Sequence, residues 1–117
     1  MAKDVTIRLA HMLESIGWIM EDADGLSVDA LSTDRRLKQL IERNLEIISE
    51  ASRHIPPELK ARYPEIPWRE IAGIGNVLRH NYQDIAPKVM IDLIRHDLPP
   101  LNDALEELLA ELGTRKN

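Results

Sequence analysis

A chain of 117 residues, 44% hydrophobic and 30% charged, has an ordinary soluble composition, and no apolar run approaches the ~20 residues of a membrane span. Net charge −5 argues against a surface that coats nucleic acid by neutralising many phosphates, while leaving room for a small basic cleft in an acidic body. The absence of cysteine excludes disulfides and thiolate metal sites and, with no signal-peptide pattern, predicts a cytoplasmic protein; neither membrane nor DNA is expected as a partner.

The elements predicted from periodicity are all helical, and the length fits one domain over 1–117. From Asp4 to about Asp24, Val5, Leu9, Met12, Leu13, Ile16 and Ile19 recur at helical spacing, and Gly25 is the expected stop. Ser27 is a candidate cap in a short connector. Ser32 or Thr33 is expected to cap a second long helix with Leu37, Leu40, Ile41, Leu45, Ile48 and Ala51 as its core stripe. Ile55-Pro56-Pro57 should end it, because proline cannot donate to the ladder and restrains its predecessor. Pro57 to Arg62 fits a short helix, and Pro87 opens another that carries Val89, Met90, Leu93 and Ile94. Asp97 is the expected N-cap of a last helix with Leu101, Leu105, Leu108 and Leu109, stopped by Gly113. With no phenylalanine, the core must be built from Leu, Ile, Val and Met. No strand-period alternation, repeat or low-complexity tract interrupts the pattern. The predicted fold is all-α, an up-and-down bundle of four to five helices.

One segment stands apart, Pro67 to Tyr82 (PWREIAGIGNVLRHNY). On a wheel of about 100° per residue, Ile71, Ile74 and Leu78 share one side, with Ile85 beyond the turn. Arg69, Ala72, Asn76, Arg79, His80 and Gln83 share the other. A solvated face would carry Lys and Glu. This one mixes Ala72, Gly73 and Gly75 with convergent polar groups, which suits a close-packed partner or a substrate. Trp68 reads as core or as an inter-helix wedge.

The Ile66-Pro67-Trp68 run, the Gly75-Asn76-x-Leu78-x-His80-x-Tyr82 spacing and Asp97-Leu98-Pro99-Pro100-Leu101 resemble the HepT-like proteins of the HEPN ribonuclease superfamily. The run from Leu45 to Ala51 (LEIISEA) matches that family's second long helix, so the resemblance covers roughly the whole chain. It implies a HEPN-like helical bundle and a metal-independent RNA endonuclease toxin that acts at a dimer-interface cleft. It also implies a MntA-type nucleotidyltransferase antitoxin as partner, silencing the toxin by adding AMP to a tyrosine.

Cleavage of RNA without metal needs a base for the 2′-hydroxyl, an acid for the leaving oxygen and a cation for the pentacovalent phosphate. Asn76 and His80, four apart, share a helix face. His80 can exchange protons near neutral pH and Asn76 can orient it or bind a phosphate oxygen. The plainer reading is a surface histidine that only hydrogen-bonds. Tyr82 matches the AMP-accepting tyrosine of the family, where added phosphate would block and repel RNA; read structurally, it closes the core. Glu50 matches an acidic family position and could pair with Arg79 or His80, or stand solvated. The small residues Ala72, Gly73 and Gly75 mark the homodimer interface.

The chain departs from the family at one position. Gly75 stands where the HepT-like pattern has an arginine, five residues before the histidine. Either the nuclease is degenerate and the helical dimer is a protein- or nucleotide-binding module, or Arg79 supplies the charge by leaning back over Gly75. His11, His54 and His96 lie on three segments with no paired metal spacing, and the Glu-x-x-His pattern of metal-binding bundles is absent. No cofactor is expected.

Overall fold

The computed structural model describes residues 2–81 and 86–115, with side chains described for 4–78 and 87–113. Its helices are α1 (Ala2–Asp22), α2 (Val28–Thr33), α3 (Arg35–Ser52), α4 (Pro57–Lys60), α5 (Trp68–Asn81), α6 (Ala86–Asp92) and α7 (Leu98–Arg115), with a π-helical turn at Leu93–Asp97. No strand occurs among the described residues, so the all-α expectation holds. Helix α1 packs on both α3 and α7, and α3 packs on α5. Helix α3 thus lies between α1 and α5.

The core forms where the sequence stripes meet. Leu9, Met12, Ile16 and Ile19 of α1 face Ile41, Leu45 and Ile48 of α3. Ile71, Ile74 and Leu78 of α5, and Leu101, Leu105 and Leu108 of α7, complete the cluster. Valine contributes less than expected: Val5 and Val89 are half-buried, and Val28 and Val77 are exposed. Leu40 also departs from its expected place and is 50% exposed. It lies about 100° round the helix from Ile41, the centre of the buried stripe, so it falls outside the contact with α1.

The helix ends correct several expectations. Gly25 terminates the turn after α1 with φ +70°, a conformation that glycine adopts without steric penalty. Ser27 caps α2 by accepting from the Ala30 N–H at 3.0 Å. The cap of α3 is neither Ser32 nor Thr33 but Asp34, whose carboxylate accepts from the Leu37 N–H at 3.0 Å. Ser32 and Thr33 are instead in the last turn of α2, where their hydroxyls donate back to carbonyls of the same helix. Helix α4 begins at Pro57 and ends at Lys60. The indole of Trp68 then anchors the link into α5 by donating to the Lys60 and Tyr63 carbonyls at 3.1 Å each.

Asp97 caps nothing. The chain passes from α6 through the π turn into α7 in helical conformation, with the Leu98 N–H bonded to the Leu93 carbonyl. Pro99 and Pro100 lack N–H groups, and their rings would press on carbonyls four residues earlier. The wider turn before them relieves that crowding and lets the helix continue. Gly113 does not stop α7, which runs to Arg115.

Candidate nucleic-acid site

Helix α5 carries the sequence-predicted positions, and α3 fixes it in place. The Ser49 hydroxyl of α3 donates to the Ala72 carbonyl at 2.8 Å and accepts from the Gly75 N–H at 3.3 Å. Arg53, just past the end of α3, donates to the same carbonyl from Nε at 3.2 Å and Nη2 at 3.0 Å. Gly75 is buried against α3. Two members of the small-residue face are therefore engaged inside the chain. Gly73 is the open one, with nothing within 4 Å of where a Cβ would stand.

Beside Gly75 lies a cleft of about 420 Å³. Its floor is the outer face of α3 (Arg43, Glu46, Ile47, Ser49, Glu50, Ala51 and Arg53), with Arg8 and His11 of α1 on one side and Gly75 on the other. Three arginines oppose two glutamates there, a local positive excess in a chain of net charge −5. Neither Arg8 nor Arg43 has an ion pair among the described residues. Glu50 sits 3.3 Å from His54 Nε2, one turn along α3, at an exposed position. Among the described residues the partner of Glu50 is His54, and the expected pairing with Arg79 or His80 lies outside them.

Of the predicted site residues, Glu50 and Gly75 line this cleft, and Ala72 holds Arg53 at its edge. Asn76 is exposed on α5 and is not among the residues lining the cleft. Arg79 and His80 belong to the last turns of α5, and their side chains lie outside the described residues, as does Tyr82. Sequence reasoning missed Arg8, His11, Arg43 and Arg53. Their signal was partly visible: Arg8 and His11 are three apart, and Arg43, Glu46, Glu50 and Arg53 follow one side of α3. What was missing was the pairing of α1 with α3 that sets the two rows facing.

Among the described residues no cluster of three His, Cys, Asp or Glu could hold a metal ion, and no helix is long and apolar enough to cross a membrane. An all-α bundle with an arginine-lined cleft against its second long helix, α3, is the class of protein that fold and site define.

The sequence matches the family described as Ribonuclease HepT-like over residues 12–108, and the chain belongs to that family. It is 33% identical over its whole length to a Methanocaldococcus jannaschii protein named "Gamma-glutamylcyclotransferase and putative RNase", of which it spans 53%. It is 31% identical over 101 residues, 86% of this chain and 90% of the relative, to a "Putative RNase" of Caldanaerobacter subterraneus. Identity is 34% over 100 residues, 86% of this chain and 91% of the relative, to a "Probable ribonuclease HepT" of Thermococcus cleftensis. No solved structure matches the chain significantly.

Proposed function

We propose that the protein is a HepT-like ribonuclease toxin that cleaves RNA without a metal ion. The observation that carries this reading is the Asn76–His80 spacing on α5, which borders an arginine-lined cleft, with Tyr82 two residues further along the sequence. In this reading the 2′-hydroxyl attacks its neighbouring phosphate and the 5′-oxygen leaves. His80 moves a proton in that exchange, Asn76 orients it, and an arginine neutralises the phosphate. By its spacing Arg79 can fill that role, and it is one of several arginines near the site. Glu50 supports the site from α3.

The active form is a homodimer in which two copies of α5 approach through Gly73, so that two clefts flank one strand of RNA. The open side of Gly73 supports this, as does Val77, exposed one turn later. Tyr82 receives AMP from a nucleotidyltransferase antitoxin, and the added negative charge beside the site repels RNA.

The test is cleavage of total cellular RNA in EDTA by the natural protein and by His80→Ala. Cleavage by the first and none by the second is expected. Intact mass checks Tyr82 for an added AMP group, and sedimentation of Gly73→Trp checks the dimer, which that bulk should split. A second reading rests on Gly75 at the family's arginine position: a degenerate binding dimer. An unmodified natural protein that leaves RNA intact would establish it.

A further inference from the structure

We propose that the cleft between α1 and α3 is the phosphate-binding groove for the RNA strand, with Arg53 supplying the cation that Gly75 cannot. The inference rests on the ribonuclease reading for the identity of its ligand, and on the described side chains for everything else.

A guanidinium carries five N–H donors in a planar fork. Arg53 spends Nε and Nη2 on one acceptor, the Ala72 carbonyl. That carbonyl is three residues before Gly75 on the same helix, so the fork is fixed at the wall of the cleft where α5 presents no side chain. The remaining donors of Arg53 have no partner among the described residues. A long, rotamer-rich side chain is thus already ordered before a ligand arrives, which removes part of the entropic cost of binding. Arg8 and Arg43 add two more guanidinium groups to the cleft, neither in an ion pair among the described residues.

Arginines with no ion pair among the described residues, gathered on one concave surface, repel each other, and an ordinary fold would intersperse carboxylates to neutralise them. Glu46 and Glu50 are near, yet Glu50 is engaged by His54 and Glu46 forms no ion pair among the described residues. The arrangement suits an anion with several acceptor oxygens, which planar guanidinium forks bind with two parallel hydrogen bonds. A phosphodiester strand provides one such anion per nucleotide, and the cleft volume of about 420 Å³ accommodates more than one phosphate.

The experiment measures binding apart from cleavage. Fluorescence anisotropy with a labelled short single-stranded RNA would be run in the His80→Ala background, across a series of salt concentrations. Removing Arg53, Arg43 or Arg8 by alanine should each weaken binding on the order of 10-fold and flatten the log–log salt slope by about 0.7, the value for one lost phosphate contact on a single strand. Arg36→Ala, the same charge change on an exposed part of α3 outside the cleft, should leave both nearly unchanged. Arg53→Lys should keep the slope while losing affinity, because the point charge remains and the fork does not. In the His80-intact protein, Gly75→Arg should restore RNA cleavage lost in Arg53→Ala.

Equal binding by Arg53→Ala, Arg43→Ala and the Arg36→Ala control would overturn the proposal. So would cleavage that survives Arg53→Ala and vanishes with Arg79→Ala, which would give the cation role to Arg79. Arginine-dependent binding by a natural protein that never cleaves would retain the groove and remove only the nuclease reading.

Discussion

The two faces of α3 are made from the same eighteen-residue helix and do opposite work. The inner face sets Ile41, Leu45 and Ile48 at zero exposure between α1 and α5. The outer face sets Arg43, Glu46 and Glu50 in an open cleft, with Arg53 just past the helix end. On the inner side each group is held by neighbours that lose contact if it shrinks. On the outer side Arg8 and Arg43 stand without ion pairs among the described residues, an arrangement that contributes little to stability and is available for an anion. Ser49 is buried between the two faces and ties α3 to α5.

That contrast can be broken or sharpened by substitution. Leu45→Ala should cost about 2–5 kcal/mol, because transfer energy and a cavity add at a site closed on all sides; chemical denaturation measures it. Ser49→Ala should cost about 1 kcal/mol, the typical net worth of a hydrogen bond, since Arg53 still satisfies the Ala72 carbonyl. A loss as large as that of Leu45→Ala would mean that α5 is held mainly through Ser49.

Asp97 shows what a carboxylate experiences when moved from an outer position towards the interior. Burial, and secondarily the charge of Glu70, hold its carboxyl above the usual carboxylate range. The folded chain therefore keeps that proton to higher pH than the unfolded chain does. Its contribution favours the folded state at low pH and is lost as pH rises from the ordinary carboxylate value through the raised one. Asp97→Asn should accordingly raise the melting temperature slightly at about pH 7 and leave it unchanged at about pH 3, below the ordinary value for aspartate. The smallest effect belongs to the outer face. Arg43→Ala should shift stability by no more than about 0.5 kcal/mol while weakening RNA binding, the signature of a residue placed for a ligand.

The prolines show how far sequence reading reaches. Pro56-Pro57 is expected to end one helix, and Asp97, just ahead of Pro99-Pro100, to start another. At the first pair α3 has ended and a new short helix begins at Pro57. At the second, the π turn absorbs the missing donors, and Leu98 and Leu101 keep their places in the core. Buried apolar residues flank both pairs, Ile55 at the first and Leu98 and Leu101 at the second, so the difference lies in the π turn, which local propensity does not announce. The same limit applies to the caps. Asp34 wins over Ser32 and Thr33 because both hydroxyls donate within α2, a choice invisible until α2 exists.

By itself the sequence determined the helical class, the core stripes of α1, α5 and α7, the capping of α2 and the family spacing that begins on α5. These depend on period and local chemistry, which a single chain displays directly. Tertiary structure decided which polar faces meet. The rows Arg8–His11 and Arg43–Arg53 lie 32 or more residues apart in sequence, and only the packing of α1 on α3 makes them one cleft. It also decided that Gly75 faces Ser49 of its own chain, leaving Gly73 open, because the crossing of α3 and α5 selects which side of a small-residue helix is covered. Periodicity fixes the faces of each helix, and packing assigns their neighbours.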